Sequence, residues 1–198
     1  MSTVSSVSVG GVYITATVTK RDSDVDSDPK DFLSNVENKK KVIGLDTEWA
    51  LMEDSSGVVK SKIAILQLCD GDQCLIIQLL HLNSIPRSLL NFLRHSDFTF
   101  VGIGIKENLA KLEKDYGLGC KNAVELGPWA AKVMQKPHLS GWGVDELADG
   151  VASLYLQAKP TSVIFNDWSA NYLNKKQVKF ATVNVYAYFK IGNKLLGD

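Results

Sequence analysis

Asp46 and Glu48 stand two residues apart in K-V-I-G-L-D-T-E-W, the stretch from Lys41 to Trp49. On an extended chain that spacing points both carboxylates to one face. Two like charges held side by side repel, and a fold keeps both ionised only with a compensating cation. A hard divalent ion, Mg²⁺ or Mn²⁺, suits the pair because it takes carboxylate oxygens and retains waters. The plainer reading of D-x-E is a strand leaving the core with two solvated acids. Val42, Ile43 and Leu45 precede the pair and form the short, partly β-branched apolar run of a buried strand.

The elements that must position this strand follow from periodicity. Residues 1–10 read as a loose start, and Val12 to Val18 alternates as a strand. The segment R-D-S-D-V-D-S-D-P is acidic and turn-rich. It leads to a helix capped by Asp28, with Pro29 at its first position and Phe32, Leu33 and Val36 on one face. After a polar excursion from Glu53 to Lys60, Ile63 to Leu68 and Leu75 to Leu80 read as strands joined by the Asp70-Gly71-Asp72 turn. With the Asp46 strand they make an antiparallel three-stranded meander.

Pro86 opens a helix carrying Leu89, Leu90, Phe92 and Leu93. Phe98 to Ile103 is a strand that runs through Gly102 and Gly104 into a helix with Leu109 and Leu112. Val124 to Leu126 is a short strand, and helices are expected over Pro128 to Met134, Val144 to Ser153 and Lys175 to Leu196. The sum is a single α/β domain, a mixed sheet with helical cover.

At 198 residues, 45% hydrophobic and 22% charged, the chain is long enough to bury a core and has the composition of a soluble globular protein. Lys plus Arg equals Asp plus Glu at 22 each, so any nucleic-acid contact rests on a local patch and is weak and salt-sensitive. No secretory signal or membrane-length apolar run is evident. Cys69, Cys74 and Cys120 have no metal-type spacing. Cys69 and Cys74 flank the D-G-D-Q turn and could face each other across a hairpin. An odd count without an export signal favours reduced thiols, in the cytoplasm or the nucleus.

Four blocks in order, V-I-G-L-D-T-E-W, K-I-A-I-L-Q-L-C, V-G-I-G-I-K-E-N-L-A-K-L and D-W-S…K-F-A-T-V-N-V-Y-A, resemble the Werner-type 3′–5′ exonuclease domain. That domain is DnaQ-like, of the ribonuclease H-like fold, and the resemblance spans residues 42–196. The short layout resembles, more narrowly, the plant RISC-interacting clearing exoribonucleases. The family's chemistry implies four carboxylates holding two metal ions about 4 Å apart, one activating water and one stabilising the leaving oxygen.

Carried over, Asp46 would bridge both metals and Glu48 would ligate one. The second block places Asn108 where the family has its acid. The third has Phe180 and Asn184 in place of the Tyr and Asp, and Lys179 where a sister group has His. Two of four acids and the usual base are missing. The resemblance therefore implies catalytic positions at Asp46, Glu48, Asn108 and Asn184, metal ligands at Asp46, Glu48 and Asn184, and substrate contacts at Thr47, Trp49 and Phe180. Losing metal-positioning charge costs several kcal/mol of transition-state stabilisation, so such a site is a slow nuclease or borrows a group.

Glu107, Asp145, Glu146 and His138 are the groups available for borrowing. Each has a plainer explanation, as first-turn helix acids or a surface histidine. Trp49 beside the carboxylates is the preferred stacking surface for a terminal base. Trp142 and Trp168 lie in turns, and Trp129 reads as core. Lys39-Lys40-Lys41 and Lys175-Lys176 with Lys179 are the basic candidates. The reading that results is a metal-dependent 3′–5′ exoribonuclease acting on short single-stranded RNA, with DNA as the other possible substrate. The family resemblance adds Argonaute partners and a ring-shaped homo-oligomer, a hexamer; no membrane association is expected, because no apolar run approaches the length of a span. The competing reading is an exonuclease-derived nucleic-acid-binding or scaffold domain with little hydrolysis.

Overall fold

The computed structural model describes residues 2–157 and 167–197. Its seven strands form one mixed sheet in the order β1-β2-β5-β4-β3-β6-β7. They are β1 (Thr3–Val9), β2 (Val12–Thr19), β3 (Val42–Glu53), β4 (Val59–Cys69), β5 (Gln73–Ile77), β6 (Thr99–Gly102) and β7 (Ala123–Glu125). The expected meander is present, with β3–β4 and β4–β5 antiparallel. β3–β6, β6–β7 and β2–β5 are parallel. Cys69 and Cys74 face each other in the β4–β5 register and are free thiols.

Two apolar layers cover the sheet. One face takes α1 (Asp22–Ser27), α2 (Pro29–Ser34), α3 (Arg87–Leu93) and α4 (Ile105–Tyr116), through Val25, Phe32, Phe92 and Leu112. The other takes α5 (Leu126–Met134), α6 (Val144–Ala152) and α7 (Lys175–Leu195), through Ala130, Leu147, Val185 and Ile191. α7 starts in a reciprocal capping box between Asn174 and Gln177. None of the helices described is long and apolar enough to cross a membrane.

The N-terminal part departs from expectation. Residues 3–9 are not loose: they form β1, which pairs with β2 along its whole length and buries Val7 and Val9. The acidic segment is not a run of turns but helix α1, whose first-turn acids Asp22 and Asp24 suit a helix N-terminus. Asp28 does not cap α2. Its backbone is itself helical and its side chain makes no cap bond, because α1 runs almost directly into α2. Of the apolar face foreseen there, Phe32 is buried, while Leu33 and Val36 are exposed. β5 ends at Ile77, and Leu79–His81 is a 3₁₀ turn.

Candidate active site

β3 is central, and its two faces divide the site. Val42, Asp46 and Ala50 share a face, and Val42 and Ala50 belong to the layer under α7. Ile43, Leu45, Thr47 and Trp49 lie on the opposite face, and Ile43 and Leu45 belong to the α1–α4 layer. Asp46 and Glu48 therefore both face α7, as the two-residue spacing requires. β6 pairs with β3 only from Val42 to Gly44. Beyond that point the edge of β3 is open to α4, and Asn108 enters edge-on to touch residues of both faces.

Two glycines set the approach. A Cβ on Gly44 would lie 2.2 Å from the Val185 carbonyl oxygen, so α7 rests directly on the strand. Gly104 has φ +67°, the left-handed conformation from which α4 starts. Glu125, at the end of β7, accepts from the backbone N–H groups of Gly104 (2.6 Å) and Ile105 (2.8 Å). It supplies from another strand the capping acceptor that Gly104, having no side chain, cannot provide.

Polar contacts around Asp46 are dense. Its Oδ1 accepts from the Thr47 backbone N–H at 2.9 Å and faces Asn108 Nδ2 at 3.5 Å. The Tyr188 phenol is hydrogen-bonded to Asp46, and burial, with the Asp46, Glu48 and Glu125 charges, holds it well above its ordinary pKa. The phenol is therefore neutral and donates. On the other face Trp49 Nε1 donates to Thr47 Oγ1 (2.9 Å), and Thr47 Oγ1 donates to Asn108 Oδ1 (2.8 Å). At the Glu48–Trp49 step the register with β4 slips, Glu48 facing Ile65 and Trp49 facing Ile63. Asp115 accepts from the freed Ile63 N–H and Tyr116 donates to the Ile63 carbonyl, so α4 pins the bulge.

Asp46, Thr47, Glu48, Trp49, Ile103, Gly104, Glu107, Asn108 and Trp168 line an open cleft of about 400 Å³. Asp46 is 8% exposed, while Trp49, at 41%, presents its ring. Trp168 is buried, with its indole 6.1 Å from the Phe180 ring centroid. Phe180, Asn184 and Tyr188 recur every fourth residue on α7 and so share one side of that helix. Asn184 is 7% exposed.

Five of the seven sequence-derived positions, Asp46, Thr47, Glu48, Trp49 and Asn108, thus meet in one cleft. Phe180 and Asn184 are not among the cleft residues; they sit on α7, on the side that also carries Tyr188.

The groups considered for borrowing separate clearly. Glu107 is exposed, as a first-turn acid should be, and it also stands on the cleft wall. Asp145 and Glu146 are exposed in the first turn of α6 and are not among the cleft residues. His138 lies edge-on to Trp142, whose ring packs against Gly150. Lys40 donates to the Asn193 carbonyl and Lys41 pairs with Asp97, at the start of β3 and away from the carboxylates. Lys175, Lys176 and Lys179 are exposed on the first turns of α7, just before Phe180.

Three residues escaped the sequence reading. Tyr188 was signalled by its four-residue step from Asn184. Glu125 gave no local sign, since its partners lie some twenty residues away. Gln67 is the one polar residue within the apolar run of β4 from Ile63 to Cys69. It sits directly across from Asp46 and is fully buried, with neither amide atom hydrogen-bonded among the described residues.

The donor set fits a hard divalent ion in a limited way. Among the described residues no three His, Cys, Asp or Glu side chains gather as a metal group. Two adjacent carboxylates on an open cleft nevertheless match an ion that keeps several waters and takes phosphate oxygens from its substrate.

Comparison with known proteins gives a consistent result. Residues 22–197 match the 3′–5′ exonuclease family. A 3′–5′ exonuclease of Arabidopsis thaliana is 31% identical over 157 residues, covering 79% of this chain and 52% of that protein. Human exonuclease 3′–5′ domain-containing protein 2 is 27% identical over 161 residues, 79% of this chain and 25% of its own. The chain thus spans about half or less of these relatives.

Among solved structures, Escherichia coli RNase D, an exoribonuclease involved in structured RNA processing, superposes with TM-score 0.72 at 20% identity. It covers 90% of this chain and 44% of its own. The EXD2 exonuclease domain soaked in Mn and GMP gives 0.52 at 24% identity, covering 92% and 90%. The fold is DnaQ-like, of the ribonuclease H-like group, and the chain belongs to the 3′–5′ exonuclease family.

Proposed function

We propose that the chain is a metal-dependent 3′–5′ exoribonuclease that trims short single-stranded RNA at an atypical site. The observation that carries the reading is the Asp46–Glu48 pair facing an open cleft flanked by Trp49 and Trp168. A terminal base stacks on the exposed Trp49 ring, and Lys175, Lys176 and Lys179 give the backbone a local basic track. Asp46 and Glu48, with Asn184 from α7, would hold Mg²⁺ or Mn²⁺, which supplies an acidified water and neutralises the leaving oxygen. The Tyr188 phenol stays protonated and fixes the Asp46 carboxylate. Phe180 orients no water, so turnover is slow.

The resemblance to clearing exoribonucleases supports a wider reading. The substrates are then small RNAs or their cleavage fragments, the partners Argonaute proteins in the cytoplasm, and the assembly a ring-shaped hexamer. Light scattering that returns the mass of one chain would remove the ring from this reading.

A binding-only domain is the second reading, favoured by one observation: Asp46 is already surrounded by the donors of Thr47, Asn108 and Tyr188. A time course on 5′-labelled single-stranded RNA with Mg²⁺ decides between them. A ladder shortening from the 3′ end, abolished in Asp46→Ala, is the expected outcome. RNA left intact by both proteins, with Mn²⁺ as well, would leave the binding domain standing alone.

A further inference from the structure

Hydrogen-bond direction fixes which end of the Asn108 amide meets Asp46. An indole N–H only donates, so Trp49 Nε1 makes Thr47 Oγ1 an acceptor at 2.9 Å. The single hydroxyl proton of Thr47 is then directed to Asn108 Oδ1, 2.8 Å away. With its carbonyl oxygen held there, Asn108 turns its NH₂ toward Asp46 Oδ1, at 3.5 Å. An amide NH₂ repels a cation. The end of Asn108 that could ligate a metal is the end turned away.

We infer that the Trp49–Thr47–Asn108 relay closes one of the family's two metal positions, so that this chain binds a single divalent ion on the Asp46–Glu48 face. The inference deepens the proposed function and rests on its reading of the carboxylate pair as a metal site. Thr47 and Trp49 act here as positioning residues. They lie on the strand face opposite the carboxylates, and Asn108, entering at the open edge of β3, touches a residue of each face. An Asp at position 108 would accept the same Thr47 proton on one oxygen and offer the other to a metal. Turning the Asn108 amide over would instead leave the Thr47 hydroxyl proton without its acceptor and set two donors, Nδ2 and the Trp49 N–H, on one oxygen.

The test is calorimetric titration of the full chain with Mn²⁺, without RNA, paired with electron paramagnetic resonance for Mn–Mn coupling. The wild type should bind one ion and show no coupling. Asn108→Asp should bind two, the second at least about tenfold tighter than any second ion on the wild type, and show coupling. Thr47→Val and Trp49→Phe each break the relay and should admit a second, weaker ion, while Thr47→Ser should behave as wild type. Two coupled ions on the wild type, or one ion on Asn108→Asp, would overturn the inference and leave the RNA assay untouched. No Mn²⁺ bound by any form would overturn both the inference and the metal-dependent reading.

Discussion

Gln67 is fully buried opposite Asp46, and neither of its amide atoms is hydrogen-bonded among the described residues. An orphaned buried amide is destabilising by about 1–3 kcal/mol, and an apolar side chain of similar shape removes the penalty. Gln67→Met should therefore stabilise the protein, raising the denaturant midpoint by the equivalent of about 1 kcal/mol. If the amide supports the site floor, the same variant should shorten the RNA ladder more slowly. A stabilised variant with unchanged kinetics would make Gln67 a packing flaw. Such a residue stands out in an apolar run, yet the strand pairing that sets it beside Asp46 is tertiary information.

At the scale of elements, the contact that matters is α7 lying against β3. A Cβ at Gly44 would fall 2.2 Å from the backbone oxygen of Val185, and backbone cannot step aside as a side chain can. Gly44→Ala should lift the helix from the strand, destabilise by about 2–3 kcal/mol and lower the melting temperature by about 6 °C. Because Asn184 and Tyr188 ride on that helix, RNA hydrolysis should fall further than stability alone explains. The meander and the helices from α2 onward were legible from apolar periodicity together with proline and turn signals. Legible too was the carboxylate pair, since strand geometry fixes its face. α1 was hidden because Asp- and Ser-rich segments favour turns unless their ends are packed, here by Asp22 accepting from Asn83 and Ser84. The Glu125 cap was hidden because its partners are far away in sequence.

Across the whole molecule, stability should depend on pH through Asp28. Burial, with Asp24 and Asp31 nearby, raises its pKa from 3.8 to about 6. The folded state then binds the proton more tightly than the unfolded chain, so stability falls as pH rises from about 4 to about 6 and stays reduced above. The carboxyl is partly solvent-facing, and screening limits the effect to about 1 kcal/mol. Asp28→Asn should raise the melting temperature by about 3 °C at pH 7 and leave it unchanged at pH 4. Thermal melts of both proteins across that range check the sign.

The sheet ends at β1, whose sequence T-V-S-S-V-S-V carries no charge and no proline, with Val4 exposed on its outer face. Sheets ordinarily blunt such an edge with lysine, proline or a bulge. Here the edge belongs to a protein with formal net charge +0 at pH 7, so no long-range repulsion holds two copies apart. Its colloidal behaviour in neutral buffer is therefore governed by a few serines at one rim of the sheet.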